Sequence, residues 1–304
     1  MSLPGRAPSP PSRLRILATF ALLTLIWGTT WAAIQIGLRG LPPFTGVSLR
    51  FALAGVMILI YAWARGIRLG REPRERRLWF VTGGLAFAGS YGVVYWGEQW
   101  VPSGLTSVLF ATFPLFVAIL AHFLLPGERL PLLGALGILI GFAGTGVIFS
   151  EDLHQWGGPG VAKAAAILLL SPFVSAVSSV AVKRWGAGVS PASLTGIPML
   201  GAAAVLGLIA AAVERDRPRT FDATSIGALL YLAIAGTVVT FLLYYWLLAN
   251  VRATQAALLA YLIPLVAVAV GVVGLHEPMT GRVLAGSVLV VAGVALTLHA
   301  SHRR

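Results

Sequence analysis

The chain has 304 residues, of which 58% are hydrophobic and 11% charged, with a net charge of +12. A soluble domain carries about 25% charged residues, so this chain lacks the polar side chains to cover a water-facing surface, and its mean hydropathy of +0.87 agrees. The absence of cysteine excludes disulfides and thiolate chemistry, and basic residues that lie almost entirely in connections and tails argue against a nucleic-acid partner.

Residues 1–15 read as a disordered cytoplasmic N-terminus, opening with the Pro- and Ser-rich MSLPGRAPSPPS. The apolar run from Ile16 to Leu38 is too long for the core of a signal peptide. From there the pattern predicts ten membrane-length spans: 16–38, 44–64, 78–98, 102–125, 131–150, 160–183, 190–213, 225–248, 253–275 and 281–299. Two connections are long. Ala64–Arg77 is dense in Arg, and Glu214–Ser225 mixes both signs.

The positive charges orient these spans. With the N-terminus inside, fifteen Lys and Arg fall in inside segments and six in outside ones. The acidic connection Ser150–Gly160 then falls outside. The positive-inside rule therefore predicts both termini cytoplasmic. Backbone in lipid must pair within its own segment, and the alternation of a β-barrel is absent, so the spans are helices.

The second half repeats the first. Pro114 and Pro264 stand 150 residues apart, as do Tyr95-Trp96 and Tyr245-Trp246. Glu128, Gly137 and Gly144 match Glu277, Gly286 and Gly293 at a spacing of 149. A fixed offset across half a chain marks an internal repeat. Five spans per half is odd, so the second half enters the membrane inverted. This predicts an all-α membrane protein of ten transmembrane helices in two inverted five-helix repeats, 16–150 and 160–299.

The stretch LIWGTTWAAIQIGLRGLPPFTGVSLRFALAG (residues 25–55) and the Pro-Leu…Glu…Gly pattern closing each half together resemble the EamA-type transporters of the drug/metabolite transporter superfamily. The resemblance covers roughly residues 16–299. It implies a central cavity lined mainly by helices 1, 3, 4, 6, 8 and 9, with helices 5 and 10 peripheral. It also implies movement of small metabolites, often amino acids.

Candidate site residues follow from helical faces. Trp27, Trp31 and Gln35 recur at i, i+4 and i+8, as do Tyr91, Tyr95 and Gln99. Each set reads as an aromatic wall facing a substrate cavity, against the competing reading of an interfacial belt or plain packing. Ser171, Ser175, Ser178 and Ser179 form a hydroxyl stripe interrupted by Pro172, and Thr237, Thr240 and Tyr244 form another. Solute binding and helix packing both favour such stripes. Trp27, Trp31, Tyr91, Tyr95, Ser175 and Tyr244 are taken as the substrate-binding set, and the mid-span Pro114 and Pro264 as hinges.

Arg50 is the one formal charge clearly inside a span; an interfacial anchor, a substrate counter-ion and a partner for Glu98 all remain open. Glu128 and Glu277 read as structural caps in short turns. The GxxxG pair Gly137 and Gly141 in span 5, with Gly134 and Gly144, and Gly286 and Gly293 in span 10 predict packing within a monomer rather than a homodimer interface. An enzyme would need clustered catalytic groups, and the only His near a span interior is His122, alone on its helix. The expected function is therefore a transporter with no cofactor or metal. Its partners are a small polar or amphipathic metabolite, an amino acid or related compound moved by alternating access with export the expected direction, and the lipid bilayer of the inner membrane; a non-transporting membrane receptor or scaffold is the other rival reading.

Overall fold

The computed structural model describes residues 11–148, 150, 159–274 and 280–302. The turn around Glu277, most of the acidic connection 150–160 and the start of the N-terminus lie outside the described residues. Among these residues the chain folds into ten helical segments. Eight are long and apolar enough to cross a membrane: α1 (Arg13–Leu38), α2 (Pro43–Ala64), α3 (Pro73–Gly97), α4 (Leu105–Leu124), α6 (Gly160–Trp185), α7 (Gly196–Val213), α8 (Ala223–Asn250) and α10 (Gly281–Ala300). Two are shorter, α5 (Leu132–Ile148) and α9 (Ala253–Val266), although the backbone of α9 stays helical to Gly274.

Local chemistry sets the ends. Proline opens α2 and α3, where its missing N–H costs nothing and its fixed φ suits the first turn. The Asp222 carboxylate caps α8, accepting from the Ser225 N–H at 2.7 Å, and this bond holds its pKa below the usual aspartate range. Two caps come from far along the chain. Glu214, just after α7, accepts from the N–H groups of Phe44 and Thr45, both at 2.8 Å, at the start of α2. Glu128 accepts from Ala253 N–H at 2.9 Å and Thr254 N–H at 3.4 Å at the start of α9. The sequence suggested that Glu128 would cap the helix that follows it. Instead its buried carboxylate joins the first half of the chain to the second.

The packing is reciprocal between halves. α5 lies along α10, and α2 along α7. α1 packs on α8 and α9, while α6 packs on α3 and α4. Glycines permit the closest approach. A Cβ on Gly137 would come within 2.7 Å of the Gly293 carbonyl, and one on Gly144 within 2.8 Å of the Gly286 carbonyl. Backbone contact of this kind is how helices associate where no hydrophobic driving force exists between them. Gly28 does the same for α1 and α9, since a Cβ there would meet Val266 at 2.7 Å. The outward faces are apolar: Phe80, Phe123 and Leu132 are all more than three-quarters exposed.

Two departures from regular helix fall at matching places. α3 is π-helical over Thr82–Ser90 and α8 over Ile234–Val239. Such wide turns release backbone groups and recur at functional sites. α4 breaks at Ala111–Thr112, just before Pro114, and α9 breaks at Leu258, ahead of Pro264. Proline removes the bond to the residue four positions back and crowds its carbonyl, so a break on that side is the expected response.

Candidate functional site

A cavity opens among α1, α3, α4, α6, α8 and α9. Its free volume is about 90 Å³, several times what one water needs. Trp27 and Trp31 come to its wall from α1, Tyr91 from α3, Ser175 from α6 and Tyr244 from α8. Five of the six residues singled out in the sequence therefore share one space.

Tyr95 does not reach it. The i, i+4 spacing keeps Tyr95 on the Tyr91 face, but one turn, roughly 6 Å, nearer the end of α3. There it is 3% exposed and its hydroxyl meets Arg50 Nη1 at 3.2 Å. Its repeat partner Tyr245 lines the cavity instead, with Phe110, Phe113 and Phe241. The sequence carried a signal for part of this set: Phe241, Tyr244 and Tyr245 fall at i, i+3 and i+4, one face of α8. Phe110 and Phe113, at i and i+3 on either side of the Ala111–Thr112 break, line the cavity as well and carry the same one-face spacing.

The rings hold one another. Trp27 stands 5.7 Å from Phe241 and 5.5 Å from Tyr244, and Trp31 stands 5.6 Å from Phe110, all tilted or edge-on. Those are preferred aromatic geometries. Beside them runs a hydroxyl chain. Ser175 Oγ donates to Ser90 Oγ at 2.8 Å, Ser90 shares a 2.7 Å bond with Ser171, and Ser179 shares one of 2.9 Å with the Tyr244 hydroxyl. Thr237 and Thr240 are fully buried away from the cavity. The indole N–H groups of Trp27 and Trp31 are buried and have no hydrogen-bond partner among the described residues. Unpaired buried donors are rare and costly, so the wall carries two donors in want of an acceptor.

Arg50 is 1% exposed, so it does not snorkel to an interface. Nε donates to Thr237 Oγ1 at 2.7 Å and Nη2 to the Gly236 carbonyl at 3.0 Å. Both acceptors belong to the π-helical stretch of α8. The guanidinium also lies 5.0 Å from the centre of the Tyr91 ring, a cation–π distance. Arg50 thus ties α2 to α8 directly behind a residue of the cavity wall. Pro114 and Pro264 sit just past the breaks in α4 and α9 and are not on the wall.

A helical protein of many apolar spans, with a cavity among its helices that eight aromatic side chains help to wall, has room for a small solute inside a membrane. The chain matches the EamA-like transporter family over residues 14–150 and 162–299, and it belongs to that family. It is 33% identical over 290 residues to the uncharacterized inner membrane transporter YedA of Escherichia coli (strain K12), covering 92% of this chain and 90% of that one. It is 30% identical over 261 residues to Protein PagO of Salmonella typhimurium, across 84% of each chain. A solved crystal structure, 23% identical, matches with a TM-score of 0.81 over 96% of this chain and 99% of the other; that likeness concerns the fold. The protein is a multi-span, non-enzymatic membrane transporter.

Proposed function

We propose that the protein exports a small amphipathic metabolite, an amino acid or a related compound, across the plasma membrane by alternating access. All ten helical segments would span the bilayer as two inverted five-helix halves, 16–150 and 160–299, with both termini cytoplasmic. The reciprocal packing supports the inversion: α1 meets α8 and α9 as α6 meets α3 and α4. The relative YedA is named an inner membrane transporter, which supports the location. Export is the direction expected of it; the family resemblance by itself implies export or uptake.

The observation that carries the substrate class is the pair of unpartnered indole N–H groups in an aromatic wall. Rings cover the apolar part of a solute while N–H donors take its carboxylate or carbonyl. Trp27, Trp31, Tyr91, Ser175 and Tyr244 are the contact residues in this reading. Tyr95 acts behind them, by holding Arg50. Pro114 and Pro264 serve as hinges, because the breaks beside them let each half of α4 and α9 tilt independently. Uptake of a panel of labelled amino acids into proteoliposomes tests the reading. Saturable flux of at least one, reduced in Trp27→Ala and Trp31→Ala, is expected; no flux of any would sink the substrate class.

A further inference from the structure

Glu98 follows the last residue of α3 and is 3% exposed, yet neither carboxylate oxygen has a hydrogen-bond partner among the described residues. Its neighbours leave it alone. Gln35 of α1 donates its side-chain N–H to the Glu98 carbonyl at 3.0 Å and the Val101 carbonyl at 3.4 Å, so the turn uses only backbone. The corresponding C-terminal end of α8 is held the same way with Leu248 in this place, its carbonyl taken by Lys183 at 2.9 Å. The fold therefore does not require an acid at Glu98. The Arg50 guanidinium from α2 acts on it electrostatically, and the charge of Glu98 itself acts on the Tyr95 phenol one turn back on α3. Arg50 spends its donors on Thr237, Gly236 and Tyr95. Among the described residues the one ion pair within 4 Å is Arg74–Glu72, so Arg50 does not close on Glu98.

A buried carboxylate with neither donors nor a touching cation is unstable as an ion; it holds a proton or recruits water. We propose that Glu98 is a proton-binding site that gates the α3–α4 end of the transporter. With that end closed, the carboxyl group carries a proton. When the turn opens, water enters, the O–H bond breaks, the electron pair stays on the carboxylate and the proton passes to water. The Arg50 charge then favours the ionised, open state. Closing requires reprotonation from the same side, so the pH on that side sets how often the cavity opens there. This rests on the transporter reading for its consequence, but not for the proton site itself.

Infrared titration of the full-length protein in lipid nanodiscs tests the site without any substrate. A carboxylic-acid C=O band is expected at neutral pH, lost in Glu98→Gln and shifted in frequency in Glu98→Asp. The Asp variant keeps the test decisive if the Gln protein fails to fold. Only carboxylate bands at neutral pH, an acid band that survives Glu98→Gln, or a band removed by sodium at fixed pH would each overturn the proposal. The gate is read by thiol labelling of Ala86→Cys on the cavity wall, in a chain with no other cysteine. Labelling relative to the Glu98→Gln background should rise as the pH is raised. An unchanged ratio across pH would overturn the gating.

Discussion

Gln35 and Lys183 hold two matching turns with different chemistry. Gln35 reaches from α1 to the carbonyls of residues 98 and 101, and Lys183 reaches from α6 to those of 248 and 251. The acceptors are displaced by 150 residues in both cases, the offset of the repeat. One donor is a neutral amide and the other an ammonium. Bonds to a charged donor contribute about 1.5–3 kcal/mol, against about 0.5–1.5 for neutral ones. Lys183→Met should therefore destabilise the protein more than Gln35→Leu. Thermal unfolding in detergent checks the order; an equal or reversed effect would mean that the charge at Lys183 contributes nothing.

Glu128 and Ala253 join the halves through a buried charge-assisted bond. Glu128→Gln keeps one acceptor oxygen and loses the charge that suits a helix N-terminus. The expected result is a lower yield of folded protein, by about 1–2 kcal/mol of stability, with transport per folded molecule nearly unchanged. Normal expression with abolished transport would contradict this structural role.

Gly144 and Gly146 differ by two residues and face opposite surroundings. A Cβ on Gly144 would come within 2.7 Å of the Val290 backbone nitrogen, whereas one on Gly146 meets nothing within 4 Å. Gly144→Ala should cost about 1–3 kcal/mol through overpacking. Gly146→Ala should be neutral or stabilise by up to about 1 kcal/mol, through helix propensity. Unfolding midpoints of the two variants decide whether the α5–α10 contact is as tight as described.

Trp31 lies on the cavity wall and Leu22 on the outer surface of α1. Trp31→Ala should weaken solute binding or flux tenfold or more, while Leu22→Ala leaves both within about twofold, with folded protein retained in both; a 1.4 kcal/mol change corresponds to the tenfold effect. Equal effects would remove Trp31 from the site.

Both termini should be cytoplasmic, from the distribution of Lys and Arg. Reporter fusions at Ser12 and after Arg304 read this directly. A periplasmic signal from either end would break the ten-span topology.

The sequence by itself determined the class, because composition and span length are properties of the chain alone. With 11% charged residues no arrangement of these helices could face water, and backbone pairing in lipid leaves only the helix. Helical periodicity also placed Trp27 and Trp31 on one face, and the repeat located the paired prolines. What periodicity cannot carry is distance along the axis to a partner on another helix. Tyr91 and Tyr95 share a face, yet one lines the cavity and the other holds Arg50. Glu128 reads as a local cap, but its partner at Ala253 is 125 residues away. Arg50 looks free to reach an interface until the π-helical turn of α8 offers it Gly236 and Thr237. These assignments depend on which backbone groups the fold leaves unpaired and which side chain lies in reach, and tertiary packing alone sets both.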